Sequence, residues 1–216
     1  FGYAGNGPMN ITNNANIFTI GDNSYGFVLR SGATPERIQA NGGTTGLGAT
    51  TFVSNTPSVT LGNDAVYVYS ADTLGTVTNN TAITTTGSNN YGLYSAGNVV
   101  NNTSGNMNLT SGVGNVGIYS IENGNAKNYA TIDVGSSESN NGIIGVAALN
   151  NSVIKNYGRI IVAGNGNIGV YTAGNGTYSQ ETGSNPAQGG AVTTGSITAT
   201  NGATDRKNEA QVATDK

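Results

Sequence analysis

Residues 167–174 read NIGVYTAG, and the same pattern stands three times earlier in the chain, as NYGLYSAG at 90–97, NVGIYS at 115–120 and NGII at 141–144. The leading glycines of the four stretches are 25, 25 and 27 residues apart: Gly92, Gly117, Gly142 and Gly169. A fixed period of this size is the sequence signature of a repeat architecture. The chain is therefore predicted to be built from stacked units of one kind.

Each unit holds two further landmarks. One ends in asparagine or tyrosine: VTNN at 77–80, VVNN at 99–102, AKNY at 126–129 and IKNY at 154–157. The other ends in glycine: AITTTG at 82–87, MNLTSG at 107–112, TIDVG at 131–135 and RIIVAG at 159–164. These segments show the period-2 alternation of short β-strands bounded by turn residues. Three short strands are therefore predicted in each unit.

Strands this short bury their apolar side only if successive units stack, about 4.8 Å apart, and pair every strand with its equivalent. The sequence thus predicts an all-β fold, a parallel β-helix with about 25 residues and three strands per coil. Asparagine and glycine at the corners suit turns with positive φ, and asparagines stacked on one another are expected to form amide ladders.

The β-helix is predicted to span residues 1–204. The closing glycines Gly21 and Gly62 are 41 residues apart, which indicates an inserted loop of about 15 residues. Three departures from the repeat are expected. This insertion is expected within about 31–57, a polar excursion at about 178–191, and a polar tail or boundary to a next segment at 205–216.

Composition excludes several functions. Of 216 residues only 9% are charged, the net charge is -3, and Cys and His are both absent. Thiol chemistry, disulfides and His or Cys metal sites are thereby excluded, and no cofactor is expected. No basic stripe suits nucleic acid, and no apolar run approaches the roughly 20 residues that cross a bilayer. We expect neither a nucleic-acid partner nor a membrane-spanning segment.

Motifs that could indicate other chemistry have simpler explanations. Two matches to G-x-G-x-x-G, at 112–117 and 164–169, fall at one phase of the repeat and are followed by strands rather than by helices, so we interpret them as turns. The acids are scattered over different phases, which argues against a catalytic pair or a calcium site. The chain is therefore expected not to be an enzyme, with a carbohydrate-active β-helix enzyme as a remote alternative.

Three tyrosines are the first candidates for binding, because they share one phase of the repeat: Tyr94, Tyr119 and Tyr171. Ile144 is expected to interrupt this column and Tyr69 to begin it. If Leu93, Ile118 and Val170 face the core, strand alternation turns the tyrosines outward. They would then form a platform for sugar rings or a protein partner. The alternative is that tyrosine is simply a good strand former on a half-covered face.

Loops are the second place where binding is expected, since binding residues are often held on loops by a rigid scaffold. Within the predicted insertion, residues 34–37 read TPER, which resembles a single turn at a helix start. Its polar side chains are candidates for binding: Thr34, Glu36 and Arg37.

The segments TIDVG, RIIVAG, GIYS and GVYTAG resemble the repeats of passenger domains of type V autotransporter adhesins, particularly the large fusobacterial ones. The resemblance covers about residues 58–177. It implies a right-handed β-helix rod, displayed outside the bacterial cell and anchored through a C-terminal outer-membrane barrel that this chain lacks. It also implies attachment to host-cell proteins, to glycans or to another bacterial surface. No ligand residue follows from it, because the shared motifs are scaffold positions.

The sequence thus favours a non-enzymatic segment of a bacterial surface adhesin. The alternative is a protein of the same fold that does not itself mediate adhesion. It would be a passive stalk that presents a distal binding tip, or a rod that self-associates along its length.

Overall fold

The computed structural model describes residues 9–29, 49–136, 142–185 and 192–209. These residues form 23 β-strands and no helix, and 21 of the strands lie in three parallel sheets of seven strands each. The chain visits the three sheets in turn, once per coil. The prediction of a parallel β-helix with three strands per coil is confirmed. Among these residues no helix is long and apolar enough to cross a membrane.

The first sheet consists of β1 (Met9–Asn13), β4 (Thr50–Ser54), β7 (Thr76–Asn79), β10 (Asn98–Asn101), β13 (Asn125–Asn128), β16 (Val153–Asn156) and β19 (Thr177–Gln180). The second consists of β2 (Ile17–Ile20), β5 (Ser58–Leu61), β8 (Ala82–Thr85), β11 (Met107–Leu109), β14 (Thr131–Val134), β17 (Arg159–Ala163) and β22 (Ser196–Thr200). The third consists of β3 (Tyr25–Leu29), β6 (Val66–Ser70), β9 (Tyr91–Ser95), β12 (Val116–Ser120), β15 (Ile144–Leu149), β18 (Ile168–Ala173) and β23 (Thr204–Glu209). A separate antiparallel hairpin pairs β20 (Thr182–Ser184) with β21 (Val192–Thr194).

Inward-pointing side chains form one continuous core, because each lies on its equivalent in the next coil. In the first sheet these residues are at most 1% exposed: Phe52, Val77, Val99, Ala126 and Ile154. Such columns bury aliphatic surface along the whole rod, and burial contributes roughly 25 cal/mol per Å². The core therefore lies along the axis of the rod and holds the three sheets together.

Glycine is required at one column of the third sheet. A Cβ added at Gly92 would lie 2.6 Å from the carbonyl oxygen of Gly117, and one at Gly117 would lie 2.6 Å from that of Gly145. Gly145 meets the carbonyl oxygen of Gly169 at the same distance. The column shows that the predicted repeat is wrong at one unit, where Gly145 rather than Gly142 is the equivalent of Gly117.

Buried asparagines line the corner between the first and second sheets. Each amide nitrogen donates to the amide oxygen in the next coil, over 2.8 Å in all three links: Asn79 to Asn101, Asn101 to Asn128, and Asn128 to Asn156. All four side chains are fully buried. The predicted amide ladder is confirmed. It supplies hydrogen-bond partners to the polar groups inside the rod, which water cannot reach.

A second ladder runs outside the first one along the same corner. It links Asn14, Asn55, Asn80 and Asn102 through their amides. The next position holds Tyr129, whose ring stacks on Tyr157 with the centroids 4.6 Å apart. The ladder is capped by Asn185, which follows β20 and donates to Asn102. The hairpin therefore folds back along the rod over earlier coils.

The two predicted loops can be placed against the strands beside them. The insertion predicted within about 31–57 falls before Thr50, where β4 begins, and residues 30–48 lie outside the described residues. Residues 178–180 belong to β19, so the second excursion begins only after Gln180.

The prediction of a polar tail from residue 205 is wrong for residues 205–209. They lie in β23, which pairs with β18 from Thr204 to Glu209. The backbone hydrogen bonds of a parallel ladder do not need apolar side chains, so loss of the apolar period did not end the sheet. Residues 210–216 lie outside the described residues.

Replacing Gly117 by alanine is expected to destabilise the fold by roughly 1–3 kcal/mol, since the added methyl group meets a carbonyl oxygen and the core atoms of Met107 and Leu109. Gly21→Ala is the control, because its Cβ would meet nothing within 4 Å. Denaturant unfolding of both variants measures the difference. Equal stability of Gly117→Ala and the unaltered chain would contradict the close packing at this column.

Replacing Asn128 by alanine is expected to cost roughly 2–5 kcal/mol, because buried amide groups of Asn101 and Asn156 each lose a hydrogen bond. Asn108→Ala is the control, since Asn108 is exposed and contacts Thr110 alone through its side-chain hydrogen bond. Urea titration followed by circular dichroism compares them. A ladder that contributes nothing would leave the two variants equally stable.

Candidate functional site

Tyrosine rings stack along the outer side of the third sheet. Tyr69, Tyr94 and Tyr119 pair in register on adjacent strands. Their ring centroids are 4.9 and 4.8 Å apart, and the ring planes meet at 30° and 21°. The spacing of the rings is therefore the spacing of the coils.

The outward direction of the tyrosine column is confirmed. Leu93, Ile118 and Val170 are at most 1% exposed and belong to the core, whereas the tyrosine that follows each of them is only half-buried. The glycine before Leu93 also points inward, since an added Cβ would meet Ile83 of the core at 3.4 Å. Two inward residues in a row turn both Tyr91 and Tyr94 to the outside.

Tyr91 is a member of this surface that the sequence analysis missed. Its ring makes edge contacts with Tyr94 and Tyr119, with the centroids 5.7 and 5.4 Å apart. Strict alternation from Leu93 would place Tyr91 inward. The signal against this is the glycine that stands between the two residues in the repeat. Aliphatic side chains pack around the rings: Val116, Ile121, Ile144, Ala147 and Leu149. We call these residues and the four tyrosines 69, 91, 94 and 119 the tyrosine face.

Tyr171 shares the column but is separated from Tyr119 by one coil. The residue between them is Ala147, not Ile144 as predicted, because Ile144 pairs with Val116. Ala147 is fully buried under its neighbours. The structure therefore brings Tyr94 and Tyr119 into contact, whereas Tyr171 packs only against the aliphatic residues at the edge of the tyrosine face.

Polar contacts hold Tyr171 at this edge. Its hydroxyl donates to Glu209 over 2.7 Å, and Glu209 also forms an ion pair with Lys207 over 2.7 Å. The Lys207 ammonium lies 6.0 Å from the centre of the Tyr171 ring. These contacts lower the pKa of Glu209, first through the hydrogen bond from Lys207 and then through that from Tyr171.

The strands that form the tyrosine face hold no charged residue, although the carboxylate of Glu122, just after β12, lies near enough to Tyr94 to contribute to its raised pKa. Six of the seven strands of the third sheet, β3 to β18, contain no Asp, Glu, Lys or Arg. Burial raises the pKa of Tyr94 to about 12, with smaller contributions from Tyr119, Tyr69 and other neighbours. Burial and the hydrogen bond to Glu209 raise the pKa of Tyr171 to about 12. Both hydroxyls therefore stay protonated at neutral pH and can donate hydrogen bonds.

The stacking limits what these rings can bind. Both faces of the Tyr94 ring are covered, one by Tyr69 and the other by Tyr119. Ring edges and hydroxyl groups remain for a partner, together with the aliphatic side chains beside them. Sugar rings pack on open aromatic faces, so the centre of this surface fits a broad partner better than a single sugar.

The predicted loop residues Thr34, Glu36 and Arg37 lie outside the described residues. In the part of the chain that is described, no three His, Cys, Asp or Glu side chains come together as metal ligands.

Comparison of the chain with protein-family models, with curated proteins and with solved structures finds no match.

Alkaline pH is expected to destabilise the fold between pH 10 and about 12. The pKa of Tyr94 and Tyr171 is about 12 when folded, above the value of about 10 for an unfolded tyrosine, so their contribution is complete below pH 10 and is lost as pH rises through 12. Tyr94→Phe keeps the ring and should weaken this pH dependence. Urea unfolding at pH 9 and pH 11.5, with absorbance titration of the folded and urea-unfolded chain, tests it. Identical titration curves would contradict burial of these hydroxyls.

Proposed function

We propose that this chain is a non-enzymatic segment of a bacterial surface adhesin, a β-helical rod that mediates attachment to host-cell proteins, to glycans or to another bacterial surface. The observation that carries the proposal is the tyrosine face, which has no charged residue over six strands of the third sheet. The four tyrosines are half-buried rather than covered, and apolar surface that a fold leaves accessible can mark an interaction site in a soluble protein.

The architecture supports the same proposal. A rod with a continuous core and amide ladders keeps its outer columns at fixed spacing, and a rigid surface loses little entropy on binding. Aromatic residues with neutral hydroxyl groups combine apolar contact with hydrogen bonding, which is why tyrosine is enriched where proteins bind each other. The repeats also resemble those of autotransporter passenger domains, which are displayed outside the cell.

One observation favours a passive stalk as the second candidate. Tyr129 and Tyr157 form another stacked pair, at the corner between the first and second sheets, with the ring planes 12° apart. Tyrosines thus stack where coils stack, whether or not a partner uses them. The two candidates differ in whether the tyrosine face contacts anything outside the rod.

The test compares two sets of tyrosine variants in attachment assays with the purified chain. Tyr94→Ser combined with Tyr119→Ser and Tyr171→Ser should reduce saturable binding to epithelial cells, to a glycan array or to bacteria by at least about tenfold, since clustered aromatic residues dominate interface energies. Tyr129→Ser with Tyr157→Ser is the matched control, because it removes a stacked pair on another side of the rod.

Circular dichroism and thermal unfolding establish that both sets are folded. If the variant with Tyr94→Ser, Tyr119→Ser and Tyr171→Ser still binds, the tyrosine face is not the adhesive surface. If the folded, unaltered chain attaches to none of the three targets, the adhesin proposal is wrong and the passive stalk is supported.

A further inference from the structure

Two lysines lie in register on the outer side of the first sheet. Lys127 of β13 pairs with Lys155 of β16, so the two residues are one coil, about 4.8 Å, apart. They are the only charged residues in the seven strands of this sheet, and neither is buried. Like charges directly opposite each other on neighbouring strands are destabilising. The chain therefore places two cations together in the middle of the rod, where stacking favours neutral side chains.

No acid compensates these two ammonium groups. The one salt bridge among the described residues joins two side chains of β23. Glu122, at the corner before β13, therefore pairs with neither lysine. Glu181 follows β19 in the next coil, and its carboxylate accepts a hydrogen bond from the Ser179 hydroxyl over 2.7 Å. Both positive charges are thus left without a counter-ion in the described part of the chain.

Two free amide groups lie beside the lysines. Asn98 and Asn125 pair in register on β10 and β13, and both are exposed. Neither side chain forms a hydrogen bond with the described residues. Together with Lys127 they line a shallow cleft of about 200 Å³, whose other lining residues are Val99 and Val100. The cleft is smaller than the roughly 300–1,000 Å³ of a drug-sized pocket, so its size suits a single sugar unit.

We propose that this part of the first sheet binds a sugar that carries a sulfate or phosphate ester, with the sugar ring over the cleft and the ester held between Lys127 and Lys155. Asn98 and Asn125 supply donors and acceptors for the sugar hydroxyls, and Val100 supplies apolar contact. The inference rests on the proposed adhesive function, and it names the glycan class that a second side of the rod selects.

The type of cation favours an ester over a carboxylate. A planar guanidinium matches a planar carboxylate, whereas an ammonium is a compact point charge with three donors. Two ammonium groups one coil apart therefore suit a tetrahedral oxyanion, whose oxygens point in several directions. The bound anion also removes the repulsion between Lys127 and Lys155, which gives a reason for stacking them.

A single ester is expected to bind weakly, because solvent and salt screen exposed charge pairs. Each lysine should contribute about threefold to the affinity and the two together about tenfold. The dissociation constant for one sugar unit should be about 1 mM and should rise with salt.

Titration of the purified 216-residue chain with four small molecules, followed by NMR chemical shifts, tests the proposal. The molecules are glucose 6-sulfate, glucose 6-phosphate, glucose and inorganic sulfate. An ester should shift the resonances of Asn125, Lys127 and Lys155 and leave those of Tyr94 and Tyr119 in place. Glucose lacks the anion and inorganic sulfate lacks the ring, so both should bind at least about tenfold more weakly. The ester that binds more tightly identifies the anion.

Lys127→Gln should weaken binding of the ester about threefold, and Lys127→Gln combined with Lys155→Gln about tenfold. Arg159→Gln is the matched control, since Arg159 is an exposed arginine on the second sheet and forms no salt bridge there. Asn125→Ala leaves both cations in place and should weaken the ester but not inorganic sulfate. Circular dichroism verifies the fold of each variant.

Three results would overturn the proposal: no binding of either ester, equal binding of glucose or inorganic sulfate, or equal binding by the double lysine variant and Arg159→Gln. Cell attachment measured in parallel separates this inference from the adhesin proposal. Attachment without ester binding removes only the lysine site, and ester binding without attachment removes only the adhesive function of the rod.

Discussion

In-register stacking of coils is the constraint on which this structure depends. Every strand position lies about 4.8 Å from its equivalent in the next coil, so each side chain has a copy of its own environment above and below it. Aliphatic residues, asparagine amides and aromatic rings gain from such neighbours, whereas like charges repel. The low charge content of 9% follows from this constraint. Lys127 lies directly over Lys155 and is a rare exception on the outer surface.

The same constraint explains the two residues that dominate the corners and turns. Asparagine carries a donor and an acceptor on one side chain, so a column of asparagines satisfies itself without water, and four of them do so in the interior. Glycine is needed where coils approach most closely, as at Gly117, which meets the carbonyl oxygen of Gly145. A composition that is typical of disordered chains therefore specifies a rod, because its polar residues recur at fixed positions.

The fold was predictable because its signal is periodic, and the errors arose where the period is broken. A constant unit length aligns Gly142 with Gly117, whereas three more residues separate β14 from β15 than separate β11 from β12, and Gly145 takes that place. Tyr91 was missed because a strict alternation cannot represent two consecutive inward residues. The polarity of residues 205–209 predicts a tail, although pairing in a parallel ladder needs only backbone hydrogen bonds. The loop candidates Thr34, Glu36 and Arg37 fall where no repeat guides an assignment.

Stacking also decides where such a rod can recognise other molecules. A group with a copy of itself on each side has used its strongest contact surfaces, as Tyr94 has between Tyr69 and Tyr119. Inner positions of a column therefore contribute edges and hydroxyl groups to a broad contact. Broad apolar attachment therefore belongs to the sides of the rod.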